Sequence, residues 1–400
     1  MLDAYIYSGL RSPVGRHAGK LASVRPDDLA AEVIRELVAR SPFKPEQIDD
    51  VILGCVNQSG EDSRNVARFA SLLAGFPTSV PGQTVNRLCA SGLAAILDSA
   101  RAVTCKEGEL FVAGGVESMS RAPFVLGKAE SAYSRDARIY DTTIGARFIN
   151  PKIAGPFGSH SMPETGDNVA NDFSISREDC DRIAVESQSK YATAKASGFY
   201  RDEILPISIP TGKKTPPLLV DEDEHPRDDA TYESLAKLRP LFEGGVVTAG
   251  NASGINDGAA ALIVGSLAVG ERAGIRPIAR IISGAAAGVD PRIMGVGPVY
   301  AIPKALERAN LSLADMDVIE INEAFASQLL SCLKLLGIAF DDSRVNPNGG
   351  AIAIGHPLGA SGARVALTAV RQLQRTNGRF AVVSLCIGMG QGMAVVIEKM

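Results

Sequence analysis

The chain reads NRLCASG at residues 86–92, and the last three letters recur as ASG at residues 360–362, an offset of 270. Two further segments recur at nearly the same distance. DVIL at 50–53 returns as DVIE at 317–320, and LFVA at 110–113 returns as RFAV at 379–382. Three matches in the same order indicate an internal duplication. We therefore predict that the chain contains two related structural halves.

Each half follows the pattern strand, glycine-rich turn, helix, strand. Small and aliphatic residues at helical spacing predict helices over residues 91–103 and 362–373. Short runs that are apolar and rich in β-branched residues predict buried strands at 51–56, 111–115, 318–321 and 380–385. Strands that alternate with helices predict an α/β fold with parallel or mixed sheets.

A region of different composition separates the two halves. Residues 121–249 contain many charges, prolines and glycines, including DEDEHPRDD at 221–229. We interpret this region as an inserted, largely surface-forming domain. Small residues and an aliphatic strand return at 250–265. The predicted organisation is an N-terminal half made of 1–120 with 250–274, a loop domain of 121–249, and a C-terminal half of 275–400.

Composition excludes several classes of protein. The net charge of −4 comes from interspersed signs with no basic stripe, which argues against nucleic-acid binding. The first residues lack the pattern of a signal peptide, and no apolar stretch approaches the roughly 18 residues that span a bilayer. Six dispersed cysteines predict free thiols in a reducing cytoplasm, and four scattered histidines argue against a metal site.

Three glycine-rich segments carry the residues best suited to chemistry: Cys89, His356 and Cys386. Glycine lets the backbone turn sharply and lets a substrate approach main-chain N–H groups. A single cysteine is more often only a small buried side chain. Two cysteines and a histidine, each beside glycine, instead indicate acyl transfer through a thioester.

The residues around these positions resemble the thiolase family along essentially the whole chain. The thiolase-like stretches are NRLCASG at 86–92, GGVESMS at 114–120, NASGINDGAA at 251–260, NEAFA at 322–326, and NPNGG at 346–350 through residue 362. The resemblance implies two βαβαβαββ halves in five α-β-α-β-α layers, with an inserted loop domain. Within the family, residues 55–68, 118–124 and 161–165 are most similar to bacterial 3-oxoadipyl-CoA thiolases. One departure is His160, where that subgroup usually has aspartate near the acyl pocket.

The resemblance implies a role for each site residue. Cys89 is the nucleophile, His356 its base, and Cys386 the acid and base at the α-carbon of acetyl-CoA. Backbone N–H groups of Cys89 and Gly388 form one oxyanion hole, and His356 with Asn322, through a water, forms the other. By spacing alone, Asn322 is equally well explained as a helix cap. Because Cys89 precedes a helix, we expect backbone N–H groups to lower its pKa.

The resemblance also implies contacts to coenzyme A, the co-substrate, with no tightly bound cofactor and no metal. Arg227 and Ser234 correspond to positions near the nucleotide, Ala249 and Ser253 to positions near the pantetheine, and Met162, Phe242 and Phe325 to positions along its channel. Without the family resemblance, Arg227 would be interpreted as a solvated charged residue on a loop. The remaining cysteines (Cys55, Cys105, Cys180 and Cys332) receive no role, and His17 and His225 are expected to be solvated.

The expected reaction is CoA-dependent cleavage of a 3-oxoacyl-CoA through a Cys89 acyl-enzyme, with 3-oxoadipyl-CoA giving succinyl-CoA and acetyl-CoA. The alternatives are an acetyl-CoA acetyltransferase acting on acetoacetyl-CoA, a condensing enzyme of fatty-acid synthesis, and a non-catalytic lipid-binding relative. His160 could meet the terminal carboxylate of 3-oxoadipyl-CoA or simply be solvated. A cytoplasmic homotetramer is expected, with contacts from residues 120–140.

Overall fold

The computed structural model of the protein describes residues 1–212 and 214–400. Its strands are β1 (Ala4–Arg11), β2 (Gly15–Arg16), β3 (Asp50–Gly54), β4 (Gly82–Val85), β5 (Leu110–Ser118), β6 (Phe124–Leu126), β7 (Ile139–Asp141), β8 (Ile207–Ile209), β9 (Leu218–Val220), β10 (Asn256–Gly265), β11 (Ala279–Gly288), β12 (Val318–Ile321), β13 (Phe380–Ile387) and β14 (Gln391–Lys399). Its α-helices are α1 (Pro26–Ala39), α2 (Val66–Leu73), α3 (Ser91–Cys105), α4 (Pro151–Phe157), α5 (Met162–Phe173), α6 (Arg177–Ala196), α7 (Tyr232–Ala236), α8 (Leu267–Ala273), α9 (Gly297–Ala309), α10 (Ala326–Leu336), α11 (Ala351–Ile354) and α12 (Leu358–Thr376).

The sheet topology confirms the predicted duplication. In the first half the strand order is β1-β10-β5-β3-β4, and in the second it is β11-β14-β13-β12. Val345 forms an isolated parallel bridge with Ile319 of β12, at the position that β4 holds in the first half. The two half-sheets join where Ala4 of β1 lies opposite Ile281 of β11.

The buried residues define five layers. One core packs α1 and α2 against the outer face of the first half-sheet, and another packs α9 and α10 against the outer face of the second. The core between the two half-sheets contains α3 and α12, which are the duplicated helices. This central layer positions the site, because α3 and α12 both begin there and the glycine-rich segments that carry Cys89 and His356 lead into these helices.

The helices α3 and α12 cross where each has glycine residues, Gly92 in α3 and Gly359 and Gly362 in α12. A Cβ atom on Gly92 would lie 2.6 Å from Gly359 O and 3.0 Å from Ala363 N, and a Cβ on Gly362 would lie 2.3 Å from Leu93 N. The absence of side chains therefore lets the two backbones touch near their N-terminal ends. The crossing brings the residues that precede the two helices, including Cys89 and His356, to the same side of the molecule.

Helix α12 begins earlier than predicted. The sequence indicated a start at Gly362, but the helix begins at Leu358, with Pro357 as its N-cap residue. Gly359 was placed in the glycine-rich turn before the helix, whereas it lies in the first turn of α12 and, with Gly362, forms the close contact with α3. Tertiary packing thus overrides the low helix propensity of glycine here.

The region 121–249 is less superficial than predicted. It contains the hairpins β6–β7 and β8–β9 and the helices α4 to α7. Helix α6 buries one face, including Cys180, Ile183 and Ala184, in the same core as α10. Part of this region therefore supports the second half rather than only covering it.

The prediction that no stretch is long and apolar enough to cross a membrane was wrong. Leu88–Cys105, which includes α3, passes that test by length and composition. Most of this window is buried inside the protein. A helix covered by a sheet on both sides is apolar all round, which explains the composition.

Candidate active site

Cys89 lies at the tight turn that leads into α3. Leu88 has a positive φ of 46°, and Ala90 is the N-cap residue of the helix. The Ser91 hydroxyl accepts a hydrogen bond from Arg87 N at 2.8 Å and donates one to Leu88 O at 2.6 Å. A non-glycine residue with positive φ is uncommon and is held here by these bonds. The turn leaves the Cys89 side chain partly exposed.

Two backbone N–H groups, those of Gly388 and Cys89 itself, point at the Cys89 sulfur and lower its pKa. Burial nevertheless dominates, and it raises the pKa of Cys89 to about 11, with a smaller upward contribution from the charge of Glu117. The N–H groups therefore lower the pKa of Cys89 as expected, but desolvation of a thiolate outweighs their effect, so the net shift is upward. In the resting protein Cys89 is a neutral thiol.

His356 is buried and held on two sides. Its backbone N donates to Asn256 Oδ1 at 2.8 Å, and its Nδ1 lies 2.6 Å from Ser361 Oγ. The Ser361 hydroxyl donates to Pro357 O at 2.9 Å. Because that hydroxyl has only one proton, Nδ1 must carry the proton that it shares with Ser361, which leaves the Nε2 lone pair free. Burial, with a contribution from Arg364, lowers the pKa of His356 to about 3.

Asn322 lies directly after β12, and its Nδ2 is 3.5 Å from His356 Nε2. It does not cap a helix: the next α-helix, α10, begins at Ala326 and has Phe325 as its N-cap residue. The Asn322 Oδ1 atom is buried and has no hydrogen-bond partner among the described residues. A buried amide with a free oxygen beside a histidine is the environment expected for a bound water or a substrate oxygen.

Cys386 lies on β13, buried in a small apolar cluster with Val247, Met294, Ala324 and Phe325. Burial, and then the charge of Cys89, raises the pKa of Cys386 well above its usual value. The charge of Cys89 thus reaches Cys386, and the pKa of each thiol is raised above its usual value. The site consists of two neutral thiols and one neutral imidazole.

Four residues that support the site were not singled out from the sequence. Glu117 of β5 is buried and accepts backbone hydrogen bonds from both halves of the chain. Asn256 and Ser361 hold His356 as described above. Glu323 accepts hydrogen bonds from Ser187, Asn346 and Ile352 N. A carboxylate within an otherwise small and apolar strand, as in LFVAGGVES, was the available signal for Glu117.

The residues predicted to contact CoA differ in burial. The side chains of Arg227, Ser234, Phe242 and Ala249 are exposed, those of Met162 and Ser253 are half-buried, and Phe325 is buried. Met162 and Phe325 pack in the apolar cluster around Cys386. The Ser234 hydroxyl is used in a capping box with Thr231 at the start of α7. Ser253 N also donates a hydrogen bond to Ala324 O of this cluster at 3.0 Å, so the structure brings Met162, Ser253 and Phe325 of this set to the cluster of Cys386.

Two further histidines, His160 and His225, differ in burial. His160 is exposed and lines a surface pocket of about 210 Å³ together with Phe242 and the carboxylates of Glu164, Asp167 and Glu243. These acidic neighbours favour the solvated reading of His160 over contact with a substrate carboxylate. His225 was expected to be solvated, but it is 9% exposed and lies against Gly254.

Of the other four cysteines, Cys55, Cys180 and Cys332 are buried and Cys105 is exposed, and all are free. The charge of Cys332 contributes to the raised pKa of Cys386, and the Cys55 sulfur lies 3.9 Å from Glu117 Oε1.

Comparison with known proteins gives the family. Residues 4–267 match the family described as "Thiolase, N-terminal domain", and residues 275–399 match "Thiolase, C-terminal domain". The chain belongs to the thiolase family. It is therefore an acyltransferase enzyme, and its fold is the thiolase fold.

Individual relatives match this thiolase over its full length. It is 56% identical to the "3-oxoadipyl-CoA/3-oxo-5,6-dehydrosuberyl-CoA thiolase" of Escherichia coli K12, with 100% of both chains covered. Among solved structures, an acetyl-CoA acetyltransferase from Bacillus anthracis is 40% identical with a TM-score of 0.93, covering 100% of this chain and 99% of that one. The human mitochondrial 3-ketoacyl-CoA thiolase in complex with CoA is 39% identical with a TM-score of 0.92, covering 100% and 98%.

Proposed function

We propose that this thiolase cleaves 3-oxoadipyl-CoA with CoA to give succinyl-CoA and acetyl-CoA. The observation that carries the chemistry is that Cys89 lies near the buried Cys386 thiol, whose pKa its charge raises. The choice of acyl chain rests on the full-length relative at 56% identity, whose name specifies 3-oxoadipyl-CoA. The proposed site residues are Cys89, His356, Cys386, Asn322 and Gly388.

In the first half-reaction the Cys89 sulfur attacks the β-carbonyl carbon, and its proton moves to Nε2 of His356. The backbone N–H groups of Cys89 and Gly388 stabilise the resulting oxyanion. This role is supported by their present orientation toward the Cys89 sulfur. The bond between the α- and β-carbons then breaks, which leaves the acyl group on Cys89 and the acetyl-CoA enolate.

The enolate oxygen lies between protonated His356 and a water held by Asn322. An imidazolium is costly in this buried position, but the negative enolate beside it compensates for that cost. Cys386 donates its thiol proton to the α-carbon, and acetyl-CoA leaves. A thiol with a strongly raised pKa is suited to this step, because it holds its proton until a carbanion-like carbon is present.

In the second half-reaction the Cys386 thiolate takes the proton of an incoming CoA thiol. The CoA sulfur attacks the acyl group on Cys89 and forms succinyl-CoA. Cys89 leaves as a thiolate and recovers its proton from His356. Both thiols and the imidazole are thereby restored, so the cycle needs no further reactant.

We assign CoA to a path from the exposed side chains of Arg227 and Ser234, past Phe242, Ala249 and Ser253, to Met162 and Phe325. The increase in burial along this order supports the assignment, since the nucleotide of CoA is polar and its pantetheine end must reach the thiols. Because the Ser234 hydroxyl is engaged in its capping box, we expect Arg227 to contribute more to binding than Ser234.

We further propose that the enzyme is a cytoplasmic homotetramer. Phe124, Leu126 and Ile139 of the β6–β7 hairpin are 73%, 60% and 71% exposed, and such an apolar hairpin favours contact with another copy of the chain. Light scattering coupled to gel filtration tests this. An active, stable monomer would rule it out.

The substrate is tested by comparing kcat/KM for 3-oxoadipyl-CoA and acetoacetyl-CoA. We expect 3-oxoadipyl-CoA to be preferred by tenfold or more, which corresponds to about 1.4 kcal/mol of transition-state discrimination. A tenfold preference for acetoacetyl-CoA would identify an acetyl-CoA acetyltransferase instead. The His160→Ala variant is expected to keep the preference, because His160 is exposed among carboxylates.

A further inference from the structure

Glu117 is a buried carboxylate that bonds to both halves of the molecule. Its Oε2 accepts hydrogen bonds from Val56 N at 3.0 Å and from Gly359 N at 2.8 Å, and its Oε1 accepts one from Asn57 N at 2.9 Å. Val56 and Asn57 follow β3 in the N-terminal half, whereas Gly359 belongs to the first turn of α12 in the C-terminal half. One side chain therefore joins two segments that are about 300 residues apart in sequence.

The geometry requires a carboxylate at this position. All three partners are backbone N–H donors that approach both oxygens, so a side-chain amide would direct its NH₂ group at one of them. Space for adjustment is small, because a Cβ on Gly115 of the same strand would lie 1.9 Å from Gly359 O. The start of α12 is thus fixed against β5 by close packing and by the Glu117 bond.

The fixed segment is next to both reacting groups. Gly359 follows His356 by three residues, and Ser361, which holds His356 Nδ1, follows Gly359 by two. The Glu117 charge also reaches Cys89, whose pKa it raises. The other titratable groups near Glu117 are Cys55, whose sulfur is 3.9 Å from Oε1, and Asp62.

We propose that Glu117 is a positioning residue that fixes His356 relative to Cys89 by tying the start of α12 to the half that carries the nucleophile. The inference rests on the proposed roles of Cys89 and His356. It adds that Glu117 acts in two separable ways. Its hydrogen bonds set the position of the base, and its negative charge opposes ionisation of the Cys89 thiol.

Loss of the hydrogen bonds and loss of the charge predict opposite changes in Glu117→Gln, a decrease in turnover and an increase in the rate of Cys89 alkylation. In Glu117→Gln, turnover should fall by roughly tenfold to a hundredfold, because small misplacement of a catalytic group has that cost. Alkylation of Cys89 by iodoacetamide at pH 8.5 should instead become severalfold faster, because the thiolate is no longer opposed by a charge. Burial raises the pKa of Glu117 to about 7, so the native residue is largely ionised at this pH.

Two further variants separate positioning from general damage. Glu117→Asp keeps the charge but shortens the side chain, so alkylation should return to the native rate while turnover stays reduced. Glu203→Gln removes another buried carboxylate, which bonds to Arg11, and should leave Cys89 alkylation at the native rate. All variants are compared by thermal midpoint and by peptide mapping of the alkylated cysteine.

The inference is overturned if Glu117→Gln keeps native turnover. It is equally overturned if turnover and alkylation fall together in Glu117→Gln, since that pattern describes a damaged fold. Cys89→Ala, tested in parallel, checks the proposed function separately. If Cys89→Ala retains turnover, the proposed mechanism fails regardless of Glu117. If Cys89→Ala is inactive and Glu117→Gln behaves as native, only the present inference fails.

Discussion

His356 Nδ1 lies 2.6 Å from Ser361 Oγ, one helical turn into α12, and this contact fixes which imidazole nitrogen carries the proton. The Ser361 hydroxyl is already committed as a donor to Pro357 O at 2.9 Å. Nε2 is therefore the free base, and it faces Asn322. The tautomer needed to accept a proton from a thiol is built into the backbone turn that begins the helix.

Ser361→Ala removes that constraint without removing the base. We expect kcat to fall by roughly fivefold, in line with the loss of about 1 kcal/mol that one hydrogen bond contributes. Steady-state kinetics measures the effect. Ser99→Ala is the matched control. The Ser99 hydroxyl donates a hydrogen bond to the carbonyl oxygen of Ala95, four residues earlier, as Ser361 does to Pro357, but Ser99 lies near the middle of α3. Equal losses in the two variants would contradict a specific role for Ser361.

Cys89 should carry the acyl group. Brief incubation with acetyl-CoA followed by peptide mass mapping is expected to show acetylation at Cys89 and at none of the other five cysteines. The reason is the convergence of the Gly388 and Cys89 N–H groups on this sulfur, which stabilises the oxyanion formed during acylation. Acetylation of Cys386 with Cys89 unmodified would reverse the assignment of nucleophile.

Cys386→Ser should separate the two half-reactions. We expect acetylation of Cys89 to persist while steady-state turnover falls by at least about a hundredfold, because a serine hydroxyl is a far weaker acid than a thiol. Cys180→Ser is a suitable control, since Cys180 is also a buried thiol but lies on α6. Native turnover in Cys386→Ser would show that Cys386 has only a structural role in the packing of the site.

The reactivity of Cys89 should rise steeply with pH. Since burial raises its pKa to about 11, the rate of alkylation by iodoacetamide should increase about tenfold per pH unit between pH 7 and pH 10. The exposed Cys105 provides an internal reference in the same digest. A rate that becomes constant at or below pH 8 would instead indicate a preformed thiolate–imidazolium pair with His356.

The crossing of α3 and α12 should be intolerant of a methyl group. In Gly92→Ala the new Cβ would lie 2.6 Å from Gly359 O, so we expect a loss of about 1–3 kcal/mol in the free energy of unfolding, with lower activity. Urea denaturation measures the change. Gly155→Ala, where a Cβ would meet no atom within 4 Å, is the control and should be neutral or slightly stabilising.

Much of the fold could be predicted from the sequence, because an internal duplication produces similar segments at a nearly constant offset. The recurrence of ASG at 360–362 indicated two equivalent helices, and those helices are α3 and α12. The apolar strands were also readable, since a strand buried on both faces is continuously hydrophobic. The start of α12 was misplaced, because Gly359 was interpreted as a turn residue and not as part of the contact surface with α3.

The sequence by itself determined the types of reacting group: two thiols and one imidazole, each beside glycine. Only the tertiary structure decided their ionisation and support. The pKa of Cys89 depends on how much water its sulfur loses, and the helix that follows it does not reveal this. The sequence shows Glu117 only as a carboxylate within an apolar strand. Its role could not be predicted, because its three partners are backbone N–H groups from distant segments, which no side-chain pattern indicates. Local motifs specify chemistry, whereas burial and long-range hydrogen bonds, which depend on the complete fold, set its geometry.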